Sequence, residues 1–188
     1  MSKSLLKLID ASLIPAAVMI CGKVLGLWLV NSIFKLNWGI ITDANNFFSV
    51  KISYENQASQ ILASTYSNLT MYLSIFLGFM FILTKALYFH SSHISPSTIA
   101  KLATNNLLNL ISNSFEIYYK ASVWLIILWF SLLAVIINVF IGNSYLWSGV
   151  LCFICTISAT IILLQDVYKE IEISRKNLPK ILDANFKS

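Results

Sequence analysis

Residues 121–164 read ASVWLIILWFSLLAVIINVFIGNSYLWSGVLCFICTISATIILL and contain no charged side chain. An α-helix rises about 1.5 Å per residue, so roughly 20 apolar residues cross a hydrocarbon core about 30 Å thick. The stretch therefore predicts two membrane spans, 121–141 and 145–164. Only residues 142–144, Gly-Asn-Ser, separate them. Three residues that include a glycine suit a tight antiparallel helical hairpin.

Two further apolar stretches, 13–34 and 69–89, are also long enough to cross a membrane. The first is interrupted only by Lys23. The second contains Lys85, which lies close enough to the end of the span for its amine to reach the headgroup region. Four spans predict an all-α integral membrane protein in which residues 1–188 form a single four-span domain.

The composition agrees with a membrane protein. Hydrophobic residues make up 57% of the chain and charged residues 11%, whereas a soluble domain carries roughly 25% charged residues. The net charge is +5, but the basic residues lie beside the predicted spans, as the positive-inside rule explains. Because no basic, aromatic-rich patch lies away from the spans, we expect no nucleic-acid partner.

The Lys and Arg residues also predict the orientation. If the N-terminus is inside, the inner segments hold ten of them and the outer segments hold only Lys35 and Lys51. This bias places both termini on the cytoplasmic side. Lys outnumbers Arg twelve to one, which indicates an AT-rich, bacterial genome. We therefore expect a multi-pass protein of the bacterial plasma (inner) membrane.

The predicted outer loop, residues 35–68, allows two interpretations. Trp38–Thr42 and Phe47–Tyr54 are short β-prone runs on either side of a turn-like cluster, Asp43-Ala44-Asn45-Asn46, so a small hairpin is one possibility. An irregular loop is the other.

The inner connection and the tail have clearer patterns. Ser95-Pro96 resembles a helix start, and polar residues recur beyond it every three or four positions, which predicts an amphipathic helix over about 96–120 at the inner membrane surface. In the cytoplasmic tail, 166–188, the fourth helix is expected to continue to about Asn177, where Leu178-Pro179 should stop it.

Lys23 is the unusual residue, because it falls at the midpoint of the first span. A lysine at the bilayer centre costs about 2.5–3.5 kcal/mol on insertion scales, so we expect it to face other helices. Gly22 and Gly26 form a GxxxG pattern around it, and such small residues allow another helix to approach closely. Ser131 and Thr156 lie at a similar predicted depth and are candidate hydrogen-bond partners.

Three interpretations of Lys23 remain open. It forms a site for an ion, a lipid headgroup or an anionic substrate, or it is a structural lysine satisfied at a helix contact. In the third interpretation a kink at Pro15 shifts the helix, so that Lys23 does not lie at the bilayer centre.

Other candidate chemistry is weak. Cys152 and Cys155 have the spacing of a redox pair, but they lie in an uncharged span where a thiolate is disfavoured. His90 and His93 are only two ligands, and a metal site needs three or four. With no catalytic motif and no acidic residue inside a span, we expect no enzyme activity, no metal and no cofactor.

The sequence therefore predicts a non-enzymatic subunit or scaffold of a membrane complex that acts through helix–helix contacts. Its expected partners are membrane lipid and either a second copy or another membrane protein. The alternative is a small transporter or channel subunit with a polar site around Lys23, and a third hypothesis is an interfacial membrane enzyme.

Overall fold

The computed structural model describes residues 3–42, 50–88 and 114–185. In chain order the elements are α1 (Lys3–Ile33), β1 (Trp38–Thr42), β2 (Val50–Tyr54), α2 (Gln57–Tyr88), α3 (Ser114–Phe140) and α4 (Leu146–Asn185). Most of the amphipathic helix predicted at 96–120 lies outside the described residues, and so do His90 and His93.

Each helix contains a segment that is long and apolar enough to cross a membrane. These segments are Ala11–Ile33, Gln57–Tyr88, Phe115–Phe140 and Leu146–Glu172. Large apolar side chains are exposed along all four of them, as expected for surfaces that contact lipid. The prediction of a mostly helical chain with four such helices is confirmed, and it fits a multi-pass membrane protein.

Helix α2 begins twelve residues earlier than the predicted span at Leu69. Asn56 caps it: the Asn56 side-chain oxygen accepts a hydrogen bond from the Ser59 amide at 2.7 Å. Polar residues in the first turns do not break the helix, because Thr65 donates its hydroxyl to the Ile61 carbonyl at 2.7 Å. The last twelve residues of the predicted loop 35–68 are therefore helical.

Helix α4 also exceeds its prediction, because it continues through Leu178-Pro179 to Asn185. A proline inside a helix removes one N–H and disturbs one turn. Here that loss does not end the helix at Asn177, so the predicted stop is wrong.

The segment after α1 forms the hairpin rather than the irregular loop. Strands β1 and β2 are antiparallel, with Trp38 opposite Tyr54 and Ile40 opposite Ile52. Lys35 adopts a left-handed conformation, φ 50°, and the Leu36 amide donates to the Asn31 carbonyl at 3.2 Å. This is the Schellman arrangement that closes a helix C-terminus.

The turn between α3 and α4 closes in the same way. Gly142 has φ +80°, and the Asn143 amide donates to the Asn138 carbonyl at 2.8 Å. Because this conformation is strained for residues with a Cβ, glycine fits it best.

The chain divides into two compact units. Unit 1 comprises Met1–Met80 with Val123–Thr156, and unit 2 comprises Phe81–Ser122 with Ile157–Ser188. In unit 1, apolar side chains at helical spacing on α2 and α3 are completely buried. They are Tyr72, Ile75 and Phe79 on α2 and Leu128, Leu132 and Val135 on α3.

Candidate functional site

The Lys23 side chain leaves α1 and reaches α2 inside unit 1. Its amino group donates to the Ser67 hydroxyl at 2.9 Å and to the side-chain oxygen of Asn68. Ser67 and Asn68 are buried and Lys23 is half-buried. The lysine therefore has two neutral oxygen acceptors, and both belong to one neighbouring helix.

Asn68 extends this contact to the α3–α4 turn. Its side-chain nitrogen donates to the Ser144 hydroxyl at 3.1 Å and to the Ser64 hydroxyl at 3.4 Å. The two serine hydroxyls lie 3.4 Å apart, and Ser67 donates its own hydroxyl to the Ser64 carbonyl at 3.1 Å. We call Lys23, Ser64, Ser67, Asn68 and Ser144 the Lys23 cluster.

The predicted glycines make this contact possible. A Cβ on Gly26 would lie 2.8 Å from the Ser67 Cα atom, and a Cβ on Gly22 would lie 3.2 Å from the Met71 Cα atom. Both distances are shorter than ordinary van der Waals contact. The GxxxG pattern therefore brings α1 and α2 of the same chain together.

The position of the cluster explains how a mid-span lysine finds polar partners. Lys23 lies ten residues before the end of α1 at Ile33. One asparagine side chain separates its amine from Ser144, which is in the turn that precedes α4. Helices α1 and α2 therefore extend past the α3–α4 turn, and the middle of α1 lies level with the first residues of α4.

Further contacts fix the start of α4 against α2. The Tyr145 amide donates to the Thr65 hydroxyl at 3.0 Å. The Tyr66 ring packs against both the Phe34 ring and the Trp147 ring, with centroid distances of 5.6 Å and 6.3 Å. The α3–α4 turn is thus held to α2 by both polar and aromatic contacts.

The structure does not bring Ser131 and Thr156 to Lys23. The Ser131 hydroxyl donates to the Leu128 carbonyl at 2.8 Å within α3. The Thr156 and Tyr72 hydroxyl oxygens lie 2.8 Å apart, and each lies 2.9 Å from the Cys152 carbonyl oxygen, which accepts from either hydroxyl. The Thr156 side chain therefore takes part in a separate polar contact between α2 and α4.

Sequence reasoning missed the partners of Lys23 because it placed them in a loop. Ser64, Ser67 and Asn68 have the spacing i, i+3, i+4 that puts side chains on one helical face. Asn56 is a preferred N-cap residue, and it could have indicated that α2 begins early enough to include Ser64, Ser67 and Asn68.

A further polar contact lies among the described residues of unit 2. The Tyr118 hydroxyl donates to an Asp166 carboxylate oxygen at 2.7 Å, and Asp166 is 7% exposed. Asp166 falls inside the apolar segment Leu146–Glu172, whereas the span was expected to end at Leu164 and to contain no acidic residue. An antiparallel hairpin pairs these residues, because each is 24 positions from Gly142.

The candidate metal ligands and thiols lie as follows in the part of the chain that the structure describes. There, no group of three or more His, Cys, Asp or Glu side chains is placed to hold a metal ion. Cys21 is exposed, Cys152 is buried and Cys155 is half-buried, and all three are free thiols.

The polar contacts in unit 1 thus join α1, α2 and the α3–α4 hairpin around one lysine. The chain matches no protein-family model, no curated protein and no solved structure.

Proposed function

We propose that this chain is a non-enzymatic subunit or scaffold of a membrane complex. In this proposal it is a multi-pass protein of the bacterial plasma membrane with both termini in the cytoplasm. The orientation rests on the ten-to-two distribution of Lys and Arg between the two sides.

The observation that carries the proposal is the length of α4. The helix has 40 residues, about 60 Å at 1.5 Å per residue, and its apolar segment ends at Glu172. The remaining residues, 173–185, form a helical extension about 20 Å long that we call the α4 arm. A helix that continues beyond a membrane segment offers a surface to a neighbouring protein.

The polar contacts of unit 1 support a structural rather than a catalytic role. Asn68 connects Lys23 to Ser144, and Tyr72 contacts Thr156. Both contacts join separate helices, so these side chains hold the helices together.

The proposal predicts a complex that survives extraction in a mild detergent. The protein mass, measured by light scattering with the detergent contribution subtracted, should exceed that of one chain. Truncation after Glu172 should reduce it to that of one chain. Truncation after Asn185 is the matched control, because it removes only the three residues beyond the arm.

A full-length protein that is strictly monomeric would contradict the proposal. A truncated chain that keeps the larger mass would show that the arm is not the contact. Circular dichroism of both truncated chains shows whether the remaining helices are intact.

A second candidate function is a small transporter or channel subunit with its polar site at Lys23. One observation favours it: the Lys23 amine has no carboxylate partner among the described residues. Replacement by leucine, Lys23→Leu, tests it in proteoliposomes through chloride and phosphate flux. Flux that is unchanged in the variant would remove this candidate.

A further inference from the structure

We propose that the Lys23 cluster, with the first turn of α4, binds a phosphate oxyanion of the kind that an anionic lipid headgroup presents. The proposal concerns unit 1 alone and does not depend on partner contacts of the α4 arm.

The positive charge of Lys23 has no counter-charge beside it among the described residues. The Lys23 amine makes its two hydrogen bonds to neutral oxygens of Ser67 and Asn68, and it forms no ion pair with any side chain that the structure describes. A half-buried ammonium without a counter-charge is costly, because burial removes part of its hydration. An anion beside the amine would provide the missing charge.

The Lys23 cluster also has hydrogen-bond donors that no described group accepts from. An ammonium has three N–H donors, and two of those on Lys23 are used. Both N–H groups of Asn68 are used, and so is the hydroxyl of Ser67. Ser64 and Ser144 share one hydrogen bond, which leaves one of their two hydroxyl hydrogens. The unused hydrogens of the cluster are therefore one N–H of Lys23 and one serine O–H, and both can be donated to the oxygens of an anion.

The N-terminus of α4 lies beside the cluster. Ser144 lies two residues before the start of α4 at Leu146. The N-terminus of a helix carries partial positive charge and free N–H groups, and it attracts phosphate and carboxylate groups. The lysine and the helix terminus have the same sign, and an anion that accepts from the Lys23 amine would offset the positive charge of both.

The surroundings favour lipid over a soluble ion as the source of the phosphate. Ile20, Val24 and Leu25 beside Lys23 on α1 are each more than half exposed, as expected for a helix in contact with acyl chains. Lys23 and Ser64 are also the cluster members that keep partial exposure. A headgroup phosphate can therefore reach the lysine from the lipid-facing side of α1.

The experiment is native mass spectrometry of the delipidated full-length protein with equal amounts of phosphatidylglycerol and phosphatidylcholine. The wild type should retain phosphatidylglycerol preferentially. Lys23→Met should weaken that binding about tenfold or more, as expected for a lost charge-assisted hydrogen bond. Lys35→Met is the matched control: it removes the same charge from an exposed position just after α1 and should bind like the wild type.

A second arm identifies the source of the anion. Inorganic phosphate at millimolar concentration should not displace phosphatidylglycerol from the wild type. Stabilisation of the lipid-free wild type by inorganic phosphate, lost in Lys23→Met, together with no preference for phosphatidylglycerol, would assign the site to a soluble oxyanion. Equal binding of both ligands by the wild type and by Lys23→Met would overturn the proposal.

A second variant keeps the test valid if Lys23→Met does not fold. The double substitution Ser64→Ala and Ser144→Ala retains the charge and removes the hydroxyl pair. It should weaken phosphatidylglycerol binding severalfold, and unchanged binding would contradict the donor argument. The α4 arm is intact in all of these variants. Loss of the lipid-binding proposal therefore does not change the protein mass that is expected for the complex.

Discussion

Gly26→Ala tests whether the close approach of α1 and α2 holds the Lys23 cluster together. The added Cβ would lie 2.8 Å from the Ser67 Cα atom and 2.8 Å from the Thr70 Cβ atom, where ordinary contact begins at 3.4 Å. The two helices must therefore separate by about 0.6 Å at this point. The first of these atoms belongs to helix backbone, which cannot rotate away as a flexible side chain does.

The same displacement affects the lysine one turn away. The distance of 2.9 Å between the Lys23 amine and the Ser67 hydroxyl would increase to about 3.5 Å, which is longer than normal hydrogen bonds. Overpacking costs about 1–3 kcal/mol, and a hydrogen bond to a charged group contributes about 1.5–3 kcal/mol. The two contributions sum to about 2.5–6 kcal/mol, and alanine recovers about 1 kcal/mol because it favours a helix more than glycine does. We therefore expect Gly26→Ala to lower the free energy of unfolding by about 1.5–5 kcal/mol.

The assay is reversible unfolding by a denaturing detergent in mixed micelles, followed by circular dichroism. Gly39→Ala is the control, because its added Cβ would lie 3.6 Å from the Ser53 hydroxyl, an ordinary contact. We expect the control to change stability by less than about 0.5 kcal/mol. Gly26→Ala with the stability of the control would refute the proposed close contact.

A double substitution separates the two contributions to this loss. If Gly26→Ala acts partly by stretching the Lys23 hydrogen bonds, Gly26→Ala and Lys23→Met together should cost less than the sum of the single changes. Strict additivity would mean that the glycine contact and the lysine contact are independent.

Three further substitutions probe other parts of the fold by the same unfolding assay. Gly142→Ala places a Cβ at φ +80° and should cost about 1–2 kcal/mol; no loss would mean that the turn adapts. Tyr118→Phe leaves buried Asp166 without its hydroxyl donor and should cost about 1–3 kcal/mol, whereas wild-type stability would make this bond unimportant. Asn56→Ala removes the cap that receives the Ser59 amide and should cost about 0.5–2 kcal/mol, with a small loss of helicity; an unchanged spectrum and midpoint would contradict the capping role.

The four apolar helices and the α3–α4 turn were predictable because hydropathy and Gly142 report them directly. The start of α2 was not predictable in this way. Hydropathy detects where a helix becomes apolar, and the first turns of α2 after Asn56 are polar. The stop at Leu178-Pro179 was wrong for the opposite reason: one local signal was given more weight than the continuing helix.

The site was predictable only in part. Lys23 and its two neighbouring glycines can be identified from the sequence, because a charged residue inside an apolar span is rare and costly. The hydrogen-bond partners of Lys23 were predicted by choosing polar residues about as far from the ends of their own spans as Lys23 is from the ends of its span. This choice gave Ser131 and Thr156. That reasoning assumes that the helices end at one level, but α1 and α2 extend past the α3–α4 turn.

The connections of Lys23 also have a consequence for biosynthesis. Ribosomes deliver α1 first, but its acceptors Ser67 and Asn68 follow 44 and 45 residues later. A lone α1 therefore enters the bilayer with an unsatisfied lysine, at the insertion cost noted for charged residues. Ser144 comes 76 residues after Asn68, so the network is completed only when the last hairpin has been translated. A nascent chain halted after α2 should thus hold its first two helices together before the others arrive.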